Sequence, residues 1–297
     1  MMRKPHQNFS APAHQHSGAA LITAMLLAAL ITILAASWLA RFDAHLRVTE
    51  VQRMGTQARW LLRAATDWAR MIISEDNAAY DDLTEVWAVP IAPIRMTDVA
   101  GAQEAFFSGR LIDAQSLFNL NNLRTSAGAA QAATELVWAK ALMQQSGLSP
   151  AQAAAWIAAV QAVPEPTVAS TQLFDTLPAC VSAVLKPALD AVFVFLPERT
   201  ALNINTASVA VLTAHPSIGA ALAAQIIGTR ATAPVRDAAN IANALRLPAP
   251  LAQQFDVKTR YFLATGRLAV GRIDVMARSL MQRQAGGPPK LLWSQPL

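Results

Sequence analysis

Cysteine is nearly missing from this 297-residue chain: Cys180 stands alone, so no intrachain disulfide can form and no redox compartment is signalled. Set among Ala, Val and Leu, it reads as a small core residue. Charge is also scarce, at 14% of residues against 54% hydrophobic, which excludes a disordered, self-repelling chain. The net charge of +5 is spread thinly. Arg41, Arg47, Arg53, Arg59, Arg63 and Arg70 follow one another along a single segment, as on a solvated or lipid-headgroup face of a helix rather than in a nucleic-acid groove. Of five histidines, His6, His14 and His16 lie in the polar N-terminal stretch and His45 just beyond an apolar run, leaving His215 for the globular part. No Ser/His/Asp set, metal cluster or phosphate loop is present, so neither an enzyme nor a small-molecule substrate is expected. Proline is absent from Ala13 to Val89, so nothing breaks a helix across that span.

What fills that span is a long apolar run. Ala19–Ala40 holds 22 residues without a charge. At about 1.5 Å per residue it crosses a bilayer core of about 30 Å. A secretory signal has a shorter apolar core, of about 7–15 residues. Positive residues stand on both sides (Arg3 and Lys4, then Arg41 and Arg47), so flanking charge does not orient the span. Beyond it, Val51, Met54, Ala58, Leu61, Ala65, Trp68 and Ile72 recur at 3-4-3-4 spacing, with Gln52, Arg53, Gln57, Arg59, Arg63, Asp67 and Arg70 opposite. The pattern predicts one helix of about 50 residues or more, apolar all round and then on one docking stripe.

Further along, "VWAVPIAPIRM" and "EAFFSGRLIDAQ" suggest a strand pair. "GRLIDAQSLFNLNNL" then carries Asp113, Asn119, Asn121 and Asn122, residues that make Asx turns and caps. Residues 127–190 read as helical, with Ser149-Pro150 as N-cap and first helical position. Trp60, Trp68, Trp138 and Trp156, all at helical positions, are expected in the core. "AVFVFLPE" is a short strand, and "ALNINTASVAVLTAHPSIGAALAAQIIGTR" a helix pair capped by Asn205 or Thr206, broken at Pro216 and turned at Gly219. Period two returns in "VKTRYFLATGRLAVGRIDVMARSLMQRQ", read as a hairpin turning near Thr265-Gly266-Arg267, and "PPKLLWSQPL" could add an edge strand. The helical part is thus inserted into an antiparallel sheet, an α+β arrangement.

A polar leader ending in Gly18, followed by a helix first membrane-embedded and then amphipathic, resembles type IV prepilins and pseudopilins. The resemblance implies cleavage by a prepilin peptidase between Gly18 and Ala19. Two departures stand out: "QHSG" has no Lys or Arg close before the glycine, and Thr23 occupies the fifth mature position, where most members carry Glu. A carboxylate in the bilayer is costly unless paired, so its loss suits a subunit with no neighbour above it. "GRLIDAQSLFNLNNL" and "LNINTASVAVL", the latter with Asn203, Asn205 and Thr206, resemble the segments opening the two helical subdomains of the K-type minor pseudopilin of the type II secretion system.

That resemblance implies a pilin-like long N-terminal helix packed on an antiparallel sheet, with an inserted all-helical, SAM-like region. The expected divisions are a leader (1–18), a transmembrane part (19–40), an amphipathic helix with the first strands (41–113), a first helical subdomain (114–190), a strand and connection (191–202), a second helical subdomain (203–257) and C-terminal strands (258–297). The implied role is a place at the pseudopilus tip, anchored in the inner membrane with a periplasmic globular domain, partnered by I-type and J-type minor pseudopilins. The resemblance also suggests calcium, but acidic ligands are few: residues 140–190 offer Glu165, Asp175 and Asp190. No other cofactor is expected. The alternatives are a membrane-anchored helix-hairpin-helix protein binding DNA, for which the turn lacks paired glycines with close cations, and a tip minor pilin of a type IV pilus.

Overall fold

An unbroken helix, α1 (Ser17–Glu75, 59 residues), occupies the proline-free span of the computed structural model, which describes residues 17–76, 79–97, 104–124, 129–163, 184–270 and 273–297. Among the described residues it is the one helix long and apolar enough to cross a membrane. Its few hydroxyls in the apolar part are satisfied by the helix itself: Thr23 donates to the Ala20 carbonyl and Thr32 to that of Ala28, at 3.0 and 2.7 Å. The chain divides at Thr56/Gln57 into two units.

In the second unit five antiparallel strands form one sheet in the order β1 (Ile91–Thr97), β2 (Glu104–Asp113), β7 (Tyr261–Val270), β8 (Ile273–Gln282) and β9 (Lys290–Pro296). Because β2 pairs with β7, everything from Ala114 to Arg260 is an excursion from one side of this pair. Period-two alternation sorts the side chains. Leu111, Phe262, Leu268 and Met281 face the C-terminal part of α1, and Tyr261, Leu263 and Leu280 pack with Leu117, Val194 and Leu196.

The helix docks on a wider apolar face than the expected stripe, centred one residue further on. Ala58, Leu62, Ala69 and Ile73 are buried, and Leu61, Ala65 and Ile72 are half-buried beside them. Within the globular unit Trp68 (44% exposed) does not dock, which corrects the expected stripe at that position. Trp60 is likewise exposed, while Trp138 and Trp156 lie in the core. The reason is steric. Small alanines let the helix lie close on the sheet, and a Trp at position 68 is too large to share that seam.

A second correction concerns the expected turn at Thr265-Gly266-Arg267. Strand β7 runs straight through it: Gly266 pairs with Gly109 on one side and Ala277 on the other. The reversal falls between Val270 and Ile273. Gly266 is there for closeness rather than for turning, since a Cβ on it would sit 3.1 Å from Leu62 Cδ2 of the helix above.

The excursion holds two helical groups around one large core. The first contains α2 (Ala129–Gln145), α3 (Pro150–Ala162) and α4 (Lys186–Asp190), bounded by two-residue strands β3 (Phe118–Asn119) and β4 (Phe193–Val194), paired in parallel. The second contains α5 (Val209–Thr213), α6 (Ala220–Thr232), α7 (Ile241–Leu245) and α8 (Ala249–Ala252), bounded by a like pair, β5 (Leu202–Asn203) and β6 (Phe255–Asp256). Ser149 and Gln152 form a capping box at α3. Gly219 is the N-cap of α6. The N-cap of α5 is Ser208 rather than Asn205 or Thr206, whose side chains are used elsewhere. Cys180, Glu165 and Asp175 lie outside the described residues.

Gly266→Val should cost about 1–3 kcal/mol by overpacking the helix–sheet seam. Gly228→Ala, in α6 with nothing within 4 Å of the added carbon, should gain about 0.5–1 kcal/mol. Denaturant unfolding of the detergent-solubilised protein, followed by circular dichroism, checks both; similar values for the two would refute the seam.

Candidate functional site

The residues singled out in the sequence divide between the exposed helix and a buried polar network. Gly18 and Ala19, the expected processing position, lie within the first turn of α1. Thr23 is exposed in the same helix.

The seven motif residues form two clasps of one design. In the first, Asn119 Oδ1 accepts from the Asn121 and Leu196 N–H groups (3.0 and 3.1 Å). Asn119 Nδ2 donates to the Glu198 carbonyl and Thr200 hydroxyl. Asn121 Nδ2 donates to the Leu196 carbonyl, while Asn122 accepts from Thr200 N–H and donates to its carbonyl. In the second, Asn203 Oδ1 accepts from Asn205 N–H at 3.0 Å, the same two-residue Asx turn. Asn205 then clasps Val235 through both its N–H and its carbonyl. Asn119, Asn121, Asn203 and Asn205 are buried and Asn122 is half-buried, and their amides are spent mostly on backbone that would otherwise be unsatisfied.

Asp113 ties the second clasp to the sheet. Its carboxylate, wholly buried at the end of β2, accepts from Asn203 Nδ2 (2.8 Å), the Thr206 hydroxyl (2.5 Å) and Gln115 N–H (2.6 Å). Asn203 Nδ2 also donates to the Asp81 carbonyl. Next to it, Arg283 donates to both Asp81 oxygens (2.8 and 3.0 Å) and to Asp76 (2.5 Å), and Thr259 N–H donates to Asp81. Burial pushes the Asp81 carboxyl up to about 7; Arg283 and the Thr259 N–H pull against that, and Asp113 adds to it. Burial likewise raises Asp113 and Glu85. No local sequence pattern signals the Asp81–Arg283 pair, whose members are 202 positions apart.

Among the described residues, Asp76, Asp81 and Glu85 form a group whose carboxylate oxygens lie within 4.8 Å of one another. The positive charge among them is already the Arg283 guanidinium, and Glu85 accepts from Asp82 N–H and the Trp87 indole. Asp190 is paired with Arg278. The Asp76, Asp81 and Glu85 group thus has its charge and acceptor sites already engaged, whereas calcium takes six to eight oxygens including several available carboxylates; Glu165 and Asp175, named with Asp190 for calcium, lie outside the described residues.

His215 is buried, edge-on to Trp138, with Nδ1 accepting from Ser217 N–H and Nε2 against Gln254; burial lowers its pKa. Arg230, near the helix pair, turns inward to the Ile204 and Ala207 carbonyls.

Asp113→Ala strands the donors of Asn203, Thr206 and Gln115 and should cost about 2–3 kcal/mol. The raised carboxyls also set a sign. A group that holds its proton at about 7 when folded but at about 4 when unfolded stabilises the fold fully below pH of about 4, and that contribution is lost as pH rises to about 7. Unfolding free energy should therefore fall across that window, and Asp81→Asn should flatten the slope; an unchanged slope would refute it.

No family model matches the chain, and no curated protein does. Among solved structures it is similar to a chain of the GspK–GspI–GspJ complex from the type 2 secretion system of enterotoxigenic Escherichia coli. The two are 19% identical with a TM-score of 0.59, over 84% of this chain and 98% of that one. The chain thus has a GspK-like fold, with a long apolar N-terminal helix, a five-stranded antiparallel sheet and a helical region inserted between two of its strands.

Proposed function

We propose that this chain is a minor pseudopilin at the tip of a type II secretion pseudopilus, where it starts assembly with I-type and J-type minor pseudopilins for the export of folded proteins. The observation that carries the reading is the fold likeness to a chain of the GspK–GspI–GspJ complex over nearly that chain's whole length. The apolar helix supports it, as does Thr23 where most pilin-like subunits place a glutamate. In this reading the helix sits in the inner membrane, with a cytoplasmic N-terminus and a periplasmic globular domain, and a prepilin peptidase cuts after Gly18. The role is structural, not enzymatic. DNA binding finds no support in the inward-turned Arg230, and the Arg199 guanidinium is held by Glu135. A type IV pilus tip subunit would share the helix and the processing; deletion separates the two, by loss of secretion or loss of piliation.

The mature N-terminus, determined in cells with and without the prepilin peptidase, tests the reading. Ala19 is expected as the first residue only when the peptidase is present. A start near residue 40 would make the run a discarded signal, and an uncut chain a plain anchor; either result would sink the pseudopilin assignment.

A further inference from the structure

A polar cavity of about 210 Å3 lies in the helical region, apart from the sheet and α1; Gln131, Glu135, Trp138, Arg199, Gln253 and Gln254 are among the residues that line it. Glu135 is 5% exposed, on α2. Its Oε1 is gripped by Arg199, whose guanidinium also donates to the Asn122 carbonyl (3.2 Å). Its Oε2 is buried without a hydrogen-bond partner. A buried carboxylate oxygen in that state is costly, and native structures supply it with a donor. The charge decides what kind. Arg199 already neutralises Glu135, so an ammonium would bring an uncompensated charge into a half-enclosed space beside a guanidinium. A neutral N–H carries no such cost. Gln253 lines the cavity with an amide that can both donate and accept, Gln254 being engaged with His215 and the Pro250 carbonyl, and the Trp138 ring adds apolar wall.

We infer that this cavity binds a neutral carboxamide of amino-acid size, its N–H donated to Glu135 Oε2 and its carbonyl received by the Gln253 amide at the C-terminal end of α8. The shared chemistry belongs equally to a free amide and to the Asn or Gln side chain of a bound chain.

Trp138 reports on the cavity through its indole N–H, held at 2.8 Å on the Val211 carbonyl. The experiment titrates acetamide into the full-length, 15N-tryptophan-labelled protein in detergent, with acetate and methylammonium as matched controls. The Trp138 indole signal, assigned with Trp138→Phe, should shift saturably with acetamide in the millimolar range and not with acetate. Glu135→Gln must keep an oxygen toward Arg199 and so presents an NH2 where Oε2 was, turning an acceptor into a donor; binding should weaken about tenfold, one charge-assisted hydrogen bond. Gln253→Ala, at an exposed position, does not endanger folding and should weaken it about threefold, less than one such bond. Methylammonium binding as tightly as acetamide would overturn the neutral-donor assignment. Absence of a saturable shift in protein with a normal thermal transition, or acetamide binding unaffected by both substitutions, would overturn the site.

Discussion

A single buried carboxylate, Asp113, joins the two halves of the globular unit. It ends β2, where the chain leaves the sheet, and it receives Asn203 and Thr206, where the chain enters the second helical group. A charge held at that depth is tolerated only with its acceptor sites filled. The surrounding Asp81, Thr259 and Arg283 extend the same network to the strands that resume the sheet. The insertion is thereby fixed at both ends to the scaffold that carries it, and the cost of burying acidic groups there appears in the Asp81 carboxyl, pushed up to about 7 by burial, with Asp113 and Glu85 raised in the same direction.

The motifs that suggest a family are thus the parts that close the fold. Asn119, Asn121, Asn122 and Asn205 point their amides at backbone, Asn203 at the Asp81 carbonyl and the Asp113 carboxylate, and they have little left for a ligand. Each helical group begins with the same Asx turn and is closed by the same short parallel pair, so one structural solution is used twice. Surfaces for assembly must be sought elsewhere. In the globular unit the exposed apolar residues Trp68, Val86 and Val89 border a groove beside the C-terminal part of α1. In the N-terminal unit, residues 20–40 of the helix are apolar on every side, as a bilayer or a bundle of helices requires.

Much of this was legible in the residues. The proline-free span, the apolar run, the stripe period, the N-cap at Ser149 and the return to period two at the end are local patterns, and local physics suffices for them. The expectations that failed share another cause. Gly266 suits a turn by residue type, yet glycine serves close approach as well, and only the helix lying across it decides between the two. Residues 57–73 satisfy helical periodicity on a face broader than one stripe. Which line of that face is buried depends on the sheet beneath it, and the sheet selected alanines over Trp68.

The sequence alone determined what each segment can be: a helix greasy enough for a membrane, strands with one apolar face, asparagines suited to Asx turns. Those properties follow from side-chain chemistry at short range. Tertiary structure alone decided which groups meet. Asp81 and Arg283, Asp113 and Asn203, and Glu135 and Arg199 are each separated by tens to hundreds of residues. Their pairing, and the shifted proton affinities that follow, exist only once hydrophobic burial has excluded water from the places where they come together.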